Sequence, residues 1–186
     1  MTDLERKSIG ISYVILTAVA VLGTWLIHEF AHWTAGEMLG NTMVMTLNTS
    51  YPINSSYVQA WHQHVISAAG PLVTICEATI FFFLIRKTGN QLFFPFLLTC
   101  LYMRTLAGAM NLINLNDEGR ISQALGLGAF VIPFIVFGIL FYLTFASIRD
   151  QGYKAKLVVI TVLLIMLFSS ALILTDQMIR VTIING

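Results

Sequence analysis

Residues 9–40 read IGISYVILTAVAVLGTWLIHEFAHWTAGEMLG. The part up to Ile27 carries no charge, and a run of about 20 such residues is what an α-helix needs to cross the hydrocarbon of a bilayer. Beyond it the chain turns polar without meeting a helix-breaking residue before Gly36, so one long or tilted helix is expected to carry His28, Glu29 and His32 at membrane depth.

Outward from this stretch the same apolar character recurs at 61–85, 92–113, 128–148 and 157–175, which makes five candidate spans with the first. The chain has 186 residues, of which 57% are hydrophobic and 10% charged, where soluble domains carry about 25% charged residues. Five spans use nearly all of it. The expected fold class is therefore an all-α polytopic membrane protein, a single integral-membrane domain over residues 1–186, with a core at about 9–125 and additional helices at about 128–175. A formal net charge of +1 without charge runs excludes a basic nucleic-acid surface and an acidic tail. Cys76 and Cys100 fall in apolar stretches, where cysteine acts as a small hydrophobe, and they imply no disulfide framework.

Arg6 and Lys7 precede an apolar run in which Ala18-Val19-Ala20 has the look of a leader cleavage site. The run continues to Ile27, long for a cleavable leader, so a retained helix is expected. Positive charge gathers at Arg6 and Lys7, at Arg86 and Lys87, and at Arg149, Lys154 and Lys156, which puts the N-terminus in the cytoplasm and the first and third connections on the far side. The first connection, residues 41–60, is polar and uncharged. Met43–Leu47 and Tyr57–Gln59 are candidate short strands around a turn at Tyr51–Asn54, giving a short β-hairpin between the first and second spans.

His28-Glu29-Phe30-Ala31-His32 has the form H-E-x-x-H. Helix positions i and i+4 lie about 40° apart around the axis and about 6 Å along it, so both imidazoles reach one ion from one face. Two neutral imidazoles suit Zn²⁺, and the adjacent carboxylate can take a proton from an attacking water. With the histidine and glutamate content of this chain, chance produces such a match about twice in a thousand sequences. Histidine and glutamate are also expensive near membrane depth unless they bind or react.

A third ligand is needed. Glu37 points about 140° away from His32. Glu77 lies within the second span and is expected to pair with Arg104 in the third. His62 and His64 precede the second span on the side of the motif, so either is a candidate ligand or substrate contact. Asp117 follows the third span and returns to that side; it is the favoured ligand, with Glu118 beside it as the alternative.

Three motifs in this order resemble the site-2 protease family of intramembrane zinc metalloproteases: His28-Glu29-x-x-His32 in a first span, Ala69-Gly70-Pro71 opening the next, and Asn111-Leu112 followed by Asp117-Glu118-Gly119-Arg120-Ile121 after the third. The resemblance covers roughly residues 20–125. The family typically reads D-G-G-R-I, so Glu118 stands where it has glycine, Asn114 where it has proline, and Thr74 where it often has asparagine. The resemblance implies hydrolysis of a peptide bond in or near a transmembrane segment of a membrane-anchored substrate, with Zn²⁺ on His28, His32 and Asp117 and with Glu29 as the general base. Asn111, Asn114 and His64 are the candidate oxyanion or substrate contacts. The implied location is an integral, multi-pass one, taken to be a prokaryotic cell membrane. With no filter domain in these residues, selection is expected from the membrane region or from a membrane partner that controls access.

An unwound substrate segment needs new backbone partners, which a strand edge within residues 43–59 would supply. Gly70-Pro71 reads as a close-packing or kinked site. The competing reading is a metal-binding membrane protein without proteolysis, either a pseudoprotease chaperone or a metal transporter. A transporter is expected to carry coordinating groups through the whole depth of the membrane, whereas here they cluster near one side.

Overall fold

The computed structural model describes residues 9–185; Arg6 and Lys7, on which the orientation and leader readings partly rest, lie outside the described residues. In chain order the elements are α1 (Ile11–Met38), β1 (Met43–Met45), β2 (Ser50–Pro52), α2 (His62–Thr88), a 3-10 turn (Gln91–Phe93), α3 (Phe94–Met110), α4 (Asp117–Ala124), α5 (Val131–Gln151), α6 (Ala155–Ile179) and β3 (Ile184–Asn185). Five helical segments are long and apolar enough to cross a membrane: α1, α2, α5, α6, and α3 together with the 3-10 turn before it, Gln91–Met110. The all-α polytopic class expected from composition is the fold observed.

The long helices and the short one form for different reasons. None of α1, α2, α3, α5 and α6 opens with a side-chain cap; apolar sequences of this length gain their backbone pairing in hydrocarbon, where water offers no competition. α2 stops at Gly89, whose φ of 64° is the left-handed conformation glycine adopts freely, and Arg86 and Lys87 occupy the negative end of its dipole. α4 is polar and has neither length nor an apolar stripe. It begins where the Asn116 side chain accepts the Asp117 N–H at 3.1 Å, and Asp117 and Glu118 sit at the positive end of its dipole. Its sequence carries no apolar period that would mark a helix.

Trp25, Ala78, Phe82, Ile85, Leu97 and Leu140 fill the centre of the bundle. α6 is tied to α1 where the Tyr13 and Thr161 hydroxyls meet at 2.8 Å. The outer faces of α5 and α6 expose Phe134, Phe141, Phe145, Leu163, Leu167 and Leu174, side chains that lipid tails solvate as well as a protein core does.

The three short strands make one sheet in the order β2-β1-β3. β1 pairs antiparallel with β2, Met43 opposite Pro52 and Met45 opposite Ser50, and antiparallel with β3, Val44 opposite Asn185. The expected hairpin exists, but its second strand is Ser50–Pro52 and not Tyr57–Gln59, and its turn is at Leu47-Asn48 rather than Tyr51–Asn54. Two things cause the shift. The Thr46 N–H closes the turn early, on the Thr49 carbonyl at 2.8 Å. Pro52, read as a turn former, stands on an edge strand, where a missing N–H is tolerated. The third strand, from the C-terminal segment, carried no sequence signal.

The hairpin runs back along α1. Its tip residue Asn48 accepts the indole N–H of Trp25 at 2.8 Å, about 20 Å from the end of α1 by helix rise. Irregular backbone at such depth needs internal partners. Asp176 of α6 supplies them, accepting the Thr46 hydroxyl at 2.9 Å and the Leu47 N–H at 3.1 Å.

Candidate metal centre

α1 presents His28 and His32 toward α2, and both rings are held by their Nδ1 atoms. Thr74 donates its hydroxyl hydrogen to the Gly70 carbonyl at 3.0 Å, so its oxygen is left to accept from His28 Nδ1, also at 3.0 Å. His32 Nδ1 donates to the Ile66 carbonyl at 2.6 Å. With the ring protons committed on that side, both Nε2 atoms are left as acceptors, and that of His28 takes an Arg104 N–H at 3.3 Å. They lie 3.0 Å apart, too bare of hydrogen to bond each other, and Asp117 Oδ2 is 3.4 Å from each. A point about 2 Å from all three atoms lies among them, the length of a metal–nitrogen or metal–oxygen bond. His28, His32 and Asp117 thus form a buried group able to hold a metal ion.

The surroundings fit that use. A Cβ at Gly70 would fall on His32 Nε2 and His28 Cε1, so α2 passes the histidines at a distance only glycine permits. Arg104 of α3 sits beside the ligands, NH2 3.3 Å from His28 Nε2 and NH1 3.6 Å from Asp117 Oδ2, while NH1 donates to Glu118 Oε1 at 3.1 Å. Asp117 Oδ1 also lies 3.8 Å from Nη1 of the exposed Arg120, so the Asp117 and Glu118 carboxylates face two guanidinium groups, Arg104 and Arg120.

Of the residues the sequence singled out, His28, His32 and Asp117 converge. Glu118 does not join them: it turns to Arg104 and leaves the third position to Asp117. The expected pairing of Glu77 with Arg104 is not formed. Glu77 accepts the Thr24 hydroxyl at 2.8 Å, because it stands two turns beyond Gly70 along α2, about 10 Å deeper than the ligands. Glu29 is buried beside the pair, and its carbonyl accepts the Ser50 hydroxyl of β2 at 2.9 Å. Asn111 is buried; its Oδ1 takes the Asn116 N–H at 2.6 Å, and its Nδ2 has no partner among the described residues. His64 and Asn114, the other two oxyanion candidates, are exposed. His62 is bonded to Asn41 at 3.1 Å instead of to the site. The sequence reading missed the roles of Thr74, the Ile66 carbonyl and Arg104. Thr74 was within reach of inference, since it lies one helical turn past Gly70 on the same face.

Compared with known proteins, the chain matches no family model, no curated protein and no solved structure.

Proposed function

We propose that this protein is an intramembrane zinc metalloprotease, similar to the site-2 protease family, that hydrolyses a peptide bond in or near a transmembrane segment of a membrane-anchored substrate. The observation that carries the reading is the convergence of His28 Nε2, His32 Nε2 and Asp117 Oδ2, with the far nitrogen of each imidazole anchored. Zinc in tetrahedral coordination, with bonds of about 2.0–2.1 Å, separates its ligand atoms by about 3.3 Å, close to the spacings here, and a three-ligand set leaves a position open for chemistry. When bound, Zn²⁺ supplies Lewis-acid polarisation of a carbonyl and makes water more acidic.

The chain's own residues do the rest. Thr74 and the Ile66 carbonyl hold the imidazoles in one tautomer and orientation. The Glu29 carboxylate takes a proton from the attacking water and returns it to the departing amide nitrogen. Asn111 Nδ2–H is the one free buried donor among the three candidate oxyanion contacts. β2 is an edge strand whose Ser50 hydroxyl reaches the Glu29 carbonyl, so a substrate segment unwound from its helix can add to β2 as a further strand next to the base.

The test is elemental analysis of the detergent-purified protein together with cleavage of a membrane-anchored reporter. Zinc near one equivalent is expected in the unaltered chain. Glu29→Gln should keep zinc and lose cleavage. A Glu29→Gln variant that keeps its full biological activity would favour the pseudoprotease reading, and absence of zinc from the unaltered protein would end the metalloprotease one.

A further inference from the structure

The Asn116 side chain and Arg120, 3.8 Å from Asp117 Oδ1, belong to Asp117's own segment and do not tie it to the bundle, and its approach to α3 is Oδ2 to Arg104 at 3.6 Å. Asp117 stands in the first turn of an eight-residue polar helix, and helices of that length are marginal by themselves, so their position must come from contacts with the rest of the fold. The next residue, Glu118, is 1% exposed, and its Oε2 has no partner among the described residues. The partner of Glu118 is Arg104 of α3, at 3.1 Å. Arg104 is equally buried, its Nε is unpartnered, and the rest of its guanidinium lies against His28 Nε2 and Asp117 Oδ2. Two opposite charges so far from water hold each other firmly, because displacement of either leaves the other unpaired in a low-dielectric site. Glu118 shares a peptide bond with Asp117, so fixing the one fixes the backbone of the other.

We infer that the Arg104–Glu118 ion pair is the strut that seats Asp117: Arg104 is a positioning residue of the metal centre, acting through Glu118 on the third ligand. The inference rests on the metal reading above, and its test separates the two.

The experiment measures Zn²⁺ affinity by competition with a chelating dye and records the Co²⁺ electronic spectrum, which reports coordination geometry. Arg104→Gln and Glu118→Gln should each weaken zinc binding by about 10- to 100-fold, the range for residues that orient metal ligands, and should alter the cobalt spectrum. The double variant Arg104→Gln/Glu118→Gln restores a hydrogen-bonded neutral pair and should recover affinity to within about 3-fold of the unaltered protein. That rescue is what a positioning role requires. Zinc binding that is unchanged or tighter in Arg104→Gln overturns the inference, since Arg104 would then act only as a charge repelling the ion. A double variant that is folded but as weak as the singles, or that fails to fold, also overturns it. Should the singles not fold, the folded and zinc-loaded double carries the inference alone. Zinc missing from the unaltered protein is instead the failure of the metalloprotease reading.

Discussion

His28 and His32 stand on a 28-residue membrane helix, whereas Asp117 stands on an eight-residue helix in a connection. Each histidine ring is fixed by a neutral hydrogen bond from α2, and the two share a face by helical geometry alone. Asp117 depends on a buried ion pair and on the Asn116 cap. The contrast teaches how a chain with few charges can build a polar centre: ligands on spans are positioned by packing between helices, and a ligand on a short polar helix is positioned by charge.

The packed side should break most completely. Gly70→Ala puts a methyl group where the two imidazoles lie, and since α2 cannot retreat without unpacking the bundle, zinc content is expected to fall to roughly a tenth of the unaltered level or less. Elemental analysis reads this, with a thermal melt to show that the helices still fold. On the other side, Asp117→Ala removes a ligand without overfilling the site. Zinc affinity should drop by about 100-fold or more while the histidine pair retains residual binding. Equal affinity in Asp117→Ala and the unaltered chain would sink the assignment of the third ligand.

The same contrast explains what could be read from residues. Spans 9–40 and 61–85 were legible because hydropathy over about 20 residues decides membrane helices with little tertiary context. The histidine pair was legible because its spacing is that of the helix it sits on. α4 was hidden: Asp117–Ala124 has neither apolar period nor length, and only the Asn116 cap ahead of two acids marked it. Arg104 was assigned to Glu77 because depth along a helix must be compared between two helices whose offset the sequence does not state. β3 was invisible for a related reason, since strand pairing between residues 43–45 and 184–185 depends on where α6 delivers the chain.

A smaller effect sharpens the comparison within the packed side. Thr74→Val keeps the shape of the side chain and deletes the hydroxyl that meets His28 Nδ1. The ring then loses its orienting partner but not its place, so zinc affinity should fall by about 10-fold, less than for Gly70→Ala. Thr74→Ser keeps the hydroxyl and should sit near the unaltered value in the same dye competition. If Thr74→Val binds zinc unchanged, packing alone orients His28, and the hydrogen bond is incidental.

The smallest effect is expected where the fold holds the hairpin rather than the ligands. Asp176 is 6% exposed and caps the β1–β2 turn through the Thr46 hydroxyl and the Leu47 N–H. Asp176→Ala leaves that N–H unpaired at membrane depth, a cost of about 1–3 kcal/mol, with no change at His28, His32 or Asp117. Zinc content should therefore stay at the unaltered level while residues 43–52 gain hydrogen-exchange rate, because a hairpin without its cap opens locally before the bundle does. Cleavage should fall if β2 receives substrate beside Glu29, and the fall should appear as a raised KM with kcat retained, since the ligands and the base are untouched. Loss of zinc in this variant would mean that hairpin and metal centre form one cooperative unit, and the division into a packed side and a charged side would then need the hairpin as a third support.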